Sequence, residues 1–503
     1  MAAVKVRIGR APAKLLHPVQ GFGAQFNTNL FVSSGSTAGQ ERPVGAGQLQ
    51  DLQTAINRLR LGHSRIFIRR ELGDETARDV STLEFSALMS TIELAQQAGA
   101  NVNLTWWAGP YADPDKLRQL QWPNKSFRKF PDPSRQKWPK ELTEPGGLTR
   151  PKILMERVAG ILEEVRRRHF DCVKFVTIQN EVNGSGTDIA KQHDPFLSMR
   201  LYELLYRYLD KALKARPDPL HPNRTLRSAF QLVAGDLVER GNSHQDAWLK
   251  YMHDNMELPR ANFPSVLDAY SIHVYWEPGP GAKGFPRRPE RRLANLERKA
   301  RALGIKKPIY VTEYGVRKLS AKPRPGKLDG VRIEDSRPAA FQHAWFNAVA
   351  PQYGCAGLAK WVLYRTDKPA GFGHWGMIGG PSEQFSRSPL YRVTRLFNHV
   401  VPPEWKPAGL GRAAGVGVIA SKFEAPNGRQ ETVVVLNNTA HRREVRLEGL
   451  KPGRSYFRVA WNQDGDGKLT SKPRRIASDD RGAATLNVSP HGLVALSTRT
   501  PGL

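Results

Sequence analysis

A chain of 503 residues, 40% hydrophobic and 9% aromatic, carries enough apolar mass for a full core. It is too long for one average domain but suits an eight-stranded α/β barrel of roughly 250 to 400 residues with a smaller domain attached. The formal charge of +29, from 76 Lys and Arg against 47 Asp and Glu, fits either a merely soluble cationic chain or one that meets an acidic partner, and the placement of the basic runs has to decide. No stretch approaches the roughly 20 apolar residues that span a bilayer, and only two cysteines occur, which excludes helical membrane insertion and a disulfide framework.

The N-terminus, MAAVKVRIGRAPAKLL, is basic and has no continuous apolar core of a leader peptide. The expectation is a cytoplasmic chain, or a secreted or periplasmic one whose leader was removed. Val4 to Ile8 alternates at period two and predicts a strand that joins a C-terminal sandwich, setting residues 1–17 apart.

Between 18 and 402, strand-like runs recur between amphipathic helical patterns. The runs are Gln20 to Phe26, His63 to Ile68, Asn101 to Trp106, Val173 to Gln179, Ser228 to Ala234, Leu267 to Tyr275, Pro308 to Thr312 and Gly357 to Leu363. Helical spacing marks Gly47 to Leu61, Leu83 to Gln97, Arg150 to Arg168, Pro195 to Ala215 and Leu293 to Leu303. This alternation predicts βαβ units and a parallel sheet, and eight strands close a (β/α)8 TIM barrel. A doubly wound open sheet fits less well, because Gly21-Phe22-Gly23 lies inside the first strand and does not form a phosphate-binding turn. Cys172 and Cys355 begin non-adjacent strands, too far apart for a bridge.

After Pro402 and Pro403 the pattern changes to short alternating runs, including Thr432 to Leu436, Arg443 to Leu447, Tyr456 to Trp461 and Leu493 to Ser497. Residues 403–503 therefore read as a small antiparallel β-sandwich. Asn462 to Gly467 holds half of a calcium-loop pattern, but Pro473 stands where the loop needs a glutamate, so a hairpin turn is expected and no metal or other cofactor.

Two glutamates close buried-strand runs: Glu181 after VKFVTIQN and Glu313 after KKPIYVT. Parallel barrels place their chemistry at strand C-termini, and two carboxylates there are the minimum equipment for breaking a glycosidic bond. The plain alternative for each is a strand-end salt bridge. Basic runs at Lys125 to Lys140, Lys283 to Arg301 and Arg317 to Arg332 fall in or begin in loops after strands three, six and seven. Positive potential there points to an acidic substrate such as a uronate-containing, sulfated or pyruvylated polysaccharide.

These residues resemble clan A of the retaining glycoside hydrolases, with families thirty, thirty-nine and five as relatives. The matches are Asn180-Glu181 at strand four, Glu313 at strand seven, Arg65 in strand two, His273 and Tyr275 in strand six, Trp361 in strand eight, the opening QGFGAQFN and the small C-terminal sandwich. The clan often has Asn-Glu-Pro where this chain has Asn180-Glu181-Val182. The resemblance implies a retaining, polysaccharide-degrading glycosidase. Glu313 is then the nucleophile, kept ionised by Arg65 and oriented by Tyr275, and Glu181 is the acid/base. Asn180 would bind the hydroxyl beside the reacting carbon, and the two carboxyls are expected roughly 5 to 5.5 Å apart.

Trp106, Trp107, Trp276, Trp361 and Trp375 fall at or just beyond strand ends, where flat faces can stack on sugars, although a single tryptophan is more often core. Trp122 and Trp138 accompany the long basic loop. A non-catalytic polysaccharide-binding barrel remains an alternative. Nucleic-acid binding fits less well, since no helix-turn-helix, zinc finger or RNA-binding sheet is present.

Overall fold

The computed structural model describes residues 3–31, 44–69, 83–107, 149–183, 199–239, 241–259, 263–279, 283–317, 327–328, 331–365, 375–413, 415–461, 469 and 473–502. After an N-terminal strand β1 (Val4–Arg7), eight strands form the barrel. They are β2 (Phe22–Phe26), β3 (His63–Arg69), β4 (Asn101–Trp107), β5 (Val173–Ile178), β6 (Gln231–Leu237), β7 (Ala269–Trp276), β8 (Ile309–Val316) and β9 (Cys355–Lys360). They follow one another round the barrel in chain order, and β9 closes onto β2. The fold is thus a (β/α)8 barrel with a small antiparallel β-sandwich.

The main helices are α1 (Ala46–Leu59), α2 (Leu83–Gln97), α3 (Thr149–Arg167), α4 (Met199–Lys214), α5 (Gly241–Met252), α6 (Arg287–Leu303), α7 (Arg337–Val349) and α8 (Pro389–Val400). Each presents an apolar stripe: in α4, Tyr202, Leu205, Tyr206, Leu209 and Leu213 are fully buried at helical spacing. Helix α7 starts where Ser336 Oγ accepts the Ala339 amide at 3.2 Å, and α8 where Ser388 Oγ accepts the Tyr391 amide at 3.2 Å.

The chain divides into two compact units, one of Met1–Ser64, Gln97–Asn101 and Val274–Leu503, the other of Arg65–Gln96 and Val102–His273. In the first unit β2 lies very close to the start of β3. A Cβ on Gly23 would sit 1.8 Å from the carbonyl oxygen of His63, so only glycine fits there. The side chain of Asn398 accepts the Phe22 amide at 3.2 Å and donates to its carbonyl at 2.8 Å, which fixes α8 against β2.

The sandwich also belongs to the first unit. Its larger sheet orders β10 (Lys406–Ala413), β11 (Val418–Glu424), β12 (Glu431–Asn437), β17 (Gly492–Ser497), β14 (Ser455–Trp461) and β15 (Arg474–Ala477). The smaller sheet is β1, β13 (Arg443–Glu448) and β16 (Ala483–Val488), with β1 parallel to β13. Val6, Val433, Val435, Val445, Leu447, Leu486 and Leu496 fill the space between the sheets. Fully burying each such side chain stabilises by about 1.5 to 3 kcal/mol, and that requires β1 to stay paired.

In the second unit α4 braces the ends of β5 and β6. Tyr206 Oη accepts the Ile178 amide at 3.0 Å, and Tyr202 Oη accepts the Gly235 amide at 2.9 Å. Both cysteines are free and buried, and burial pushes their thiols up to about 12, so they are inert. No described helix is long and apolar enough to cross a membrane.

Candidate active site

In the second unit the polar side chains gather at the ends of β3, β5, β6 and β7. Glu181 stands just past β5 with a left-handed backbone, φ +50°, and Gln179 two residues earlier has φ +65°. Positive φ at two non-glycine residues bends the chain sharply away from the strand direction and persists only where surroundings impose it. Asn183 imposes it by exchanging two hydrogen bonds with the backbone of Val238, at 2.8 and 2.9 Å. The Glu181 carboxylate lies 3.0 Å from Nδ1 of His273, whose side chain is fully buried.

Arg65, fully buried in β3, donates to Thr105 at 2.8 Å, to Asn180 Oδ1 at 2.6 Å, and to Asp236 in an ion pair. Because Asn180 turns its oxygen to the guanidinium, its amide NH2 faces the other way and can donate elsewhere. Asp236 reaches Arg65 through an irregularity in β6. The four residues Ala234 to Leu237 span the register that three, Tyr270 to Ile272, cover on β7, and Gly235 and Asp236 take φ +126° and +47°. Such a bulge re-aims a side chain. A Cβ on Gly235 would come within 2.4 Å of the Ser271 carbonyl, which fixes glycine at the bend. The Asp236 amide donates to Ser271 Oγ at 2.7 Å, and its carboxylate lies 3.7 Å from Nε2 of His273.

In the first unit Glu313 is buried on β8, where the register against β9 also slips between Val311 and Tyr314. Tyr275 Oη donates to its carboxylate at 2.7 Å, and the Arg317 guanidinium lies 3.9 Å over the Tyr275 ring. Trp361, buried just past β9, faces the half-buried Trp375 with ring centroids 6.5 Å apart. Lys360, buried one residue earlier, donates through one ammonium to the carbonyls of both tryptophans. Burial holds its pKa down to about 8 and raises that of Glu334, 3.9 Å away, to about 7.

Two expectations are corrected. Successive strand residues face opposite sides, and His273 and Tyr275 take one side of β7, which leaves Trp276 on the other. Trp276 is fully buried against Phe346 and His343 of α7 and donates to Gln342 at 2.8 Å, so its face is not available to a sugar. Trp106 alternates with Thr105 on β4 in the same way and is also fully buried. The side chain of Trp107, with Trp122, Trp138, the run Lys125 to Lys140 and Asn462 to Gly467, lies outside the described residues. The run beginning at Lys283 is mostly helix, since α6 starts at Arg287.

Sequence reading missed Asp236 and Lys360. The signal for the first was a Gly-Asp pair directly after a strand-like run, since a glycine there often marks a bulge or tight bend.

No family model matches the chain, and no curated protein sequence matches it. Solved structures do. A family GH30 endoxylanase from Clostridium papyrosolvens has a TM-score of 0.60 at 13% identity, covering 99% of this chain and 100% of its own. An α-L-arabinofuranosidase from Thermotoga maritima gives 0.58 at 11%, covering 98% and 99%. A conserved exported protein from Bacteroides fragilis gives 0.64 at 11%, also covering 98% and 99%. The chain resembles family thirty in fold. At these identities the likeness is one of fold, and chemistry must come from the residues themselves.

Proposed function

We propose that this protein is a retaining glycoside hydrolase acting on a polysaccharide, with Glu313 as nucleophile and Glu181 as acid/base. The supporting observation is on β7: His273 contacts Glu181 and Tyr275 donates to Glu313, and these two partners are i and i+2 on one strand, hence on one face. Xylanases and arabinofuranosidases among the similar folds agree with that chemistry.

In the first step the Glu313 carboxylate attacks the anomeric carbon while Glu181 gives its proton to the glycosidic oxygen, and the aglycone leaves. In the second, Glu181 takes a proton from water, the water oxygen attacks the anomeric carbon, and the Glu313 carboxylate departs. Tyr275 orients Glu313 for in-line attack, and His273 holds Glu181 over the leaving oxygen. The Asn180 amide donates to the hydroxyl beside the reacting carbon, and Trp361 with Trp375 supplies the stacking face.

The test uses Glu313→Gln and Glu181→Gln against xylan, arabinan and β-glucan, with the anomer of the first product read by NMR. Loss of nearly all turnover in both variants, with retained configuration in the wild type, supports the proposal. Undiminished polymer binding with no turnover in the wild type would instead favour a binding barrel. An inverted product would contradict the carboxyl separation of about 5 to 5.5 Å that retention needs.

A further inference from the structure

Five arginines of the first unit gather on the outside of the barrel, where α1 and α8 lie side by side. The two helices are fastened by Tyr391 Oη donating to the Ala55 carbonyl at 2.8 Å and by His399 Nε2, 3.2 Å from the Arg58 carbonyl. Arg58 is in the last turn of α1 and Arg60 is its left-handed C-cap, both exposed. Arg387 is exposed just before α8, Arg395 is half-buried within it, and Arg499 is half-buried near the end of the chain. A Cβ on Gly502 would lie 3.6 Å from Arg60 Nη2 and 3.8 Å from His399 Nδ1, so the end of the chain reaches the same place.

Several buried or half-buried arginines here meet carboxylates: Arg166 pairs with Asp171 and Asp218, Arg227 with Asp210 and Asp268, Arg365 with Asp335 and Glu383. None of the five forms an ion pair among the described residues. They face each other instead. Burial and the neighbouring charges of Arg58, Arg60 and Arg387 pull Arg395 below its ordinary value. Burial, with Arg60, Arg395 and Arg499 around it, holds His399 down to about 4, so that ring is neutral and adds no charge. The Nε of Arg395 is buried without a hydrogen-bond partner. Like charges held together with no counterion among the described residues are a surface suited to an external anion.

We propose that this face binds an extended anionic polysaccharide, whose carboxylates or sulfates are taken by Arg58, Arg60, Arg387, Arg395 and Arg499. From Arg387 to Arg395 the row runs about 12 Å, roughly two helical turns, and Arg58, Arg60 and Arg499 widen it, which suits a chain better than one isolated ion. Guanidinium forks suit carboxylate and sulfate, which accept two parallel hydrogen bonds. A single-stranded nucleic acid would need stacking platforms, and the aromatic ring of the row, Tyr391, is 1% exposed. That the occupant is a saccharide rests on the glycosidase proposal; that it is anionic does not. Because Arg58 and Arg60 precede β3, they stand by the N-terminal ends of the strands, and not at the C-terminal end of β8 towards which Glu313 lies.

The experiment measures binding of the full chain carrying Glu313→Gln to polygalacturonate, a sulfated glycan, neutral xylan and single-stranded DNA over a salt series. The triple variant Arg58→Gln, Arg60→Gln, Arg387→Gln, all at exposed positions, is compared at equal thermal stability. The expected result is tight, salt-sensitive binding of the two anionic glycans, weakened about tenfold with a shallower salt slope in the triple variant. Turnover of a short neutral substrate by the Glu313-containing triple variant should stay unchanged. Equal binding by the triple variant, or tighter binding of DNA than of either glycan, overturns the proposal. If the wild type hydrolyses nothing yet the triple variant loses glycan binding, the glycosidase reading falls and this surface stands.

Discussion

Arg65 and Asp236 form an ion pair in which neither side chain is exposed to water. Such a pair repays its desolvation only when further hydrogen bonds complete both groups, and here Thr105 and Asn180 take Arg65 while the Asp236 backbone is tied to Ser271. Asp236→Asn keeps the shape but leaves a buried guanidinium short of one counter-charge. The expected cost is about 3 kcal/mol in stability, measured by denaturant unfolding. Because His273 lies between Asp236 and Glu181, the alkaline limb of the pH–rate profile, set by loss of the general acid's proton, should also move, whereas a purely structural loss would leave it in place.

Tyr275→Phe removes one hydroxyl from Glu313 and little else, since the ring keeps its packing under Arg317. A lost donor to the nucleophile should lower kcat/KM about 10- to 100-fold with an unchanged melting temperature. Steady-state kinetics beside a thermal melt checks both halves. A fall in melting temperature that accounts for the lost activity would make Tyr275 a packing residue only.

Most of the scaffold was legible because buried parallel strands and amphipathic helices write their periods directly into the chain. The run Leu83 to Gln97 is the helix α2, and Val173 to Gln179 ends one residue beyond β5. What stayed hidden were the places where the period slips. The bulge at Gly235 and Asp236 turns a side chain that alternation would have placed elsewhere, so Asp236 escaped notice. The converse error fell on Trp276. Its position at a strand end drew attention, while its parity against Tyr275 already placed it towards α7. Lys360 was hidden for another reason: a lysine in an apolar run reads as an end of burial, and only tertiary structure supplies the two carbonyls it clamps.

The N-terminal strand is held by the far end of the chain. Val6 is fully buried in the sandwich core, and β1 pairs with β13 from Val4↔Val445 to Arg7↔Glu448. Val6→Ala opens a small cavity there and should cost about 2 kcal/mol. Chemical denaturation followed by the fluorescence of buried Trp461, which lies in the same sandwich, reads this change. An unchanged midpoint would show that β1 contributes no stability to the sandwich.

Lys360 and Glu334 give a pH signature that separates them from the surface carboxylates. Burial raises Glu334 from 4.5 to about 7, so between those values the folded chain keeps a proton that the unfolded chain has lost. Stability from this group is therefore fully present below about pH 4.5 and declines as pH rises towards 7, with a slope no steeper than about 1.4 kcal/mol per pH unit. The buried, neutral His343 acts in the opposite sense. Its value falls from 6.5 to about 3, so its contribution is lost as pH drops below 6.5. The readout is consequently the difference between wild type and Glu334→Gln, not either profile alone. That difference should favour the wild type more at pH 5 than at pH 7. Lys360→Met should in addition raise KM more than it lowers kcat, because it releases the carbonyls of Trp361 and Trp375 without touching Glu313. Equal losses in KM and kcat would mean that the ammonium supports the fold as a whole and not the tryptophan pair.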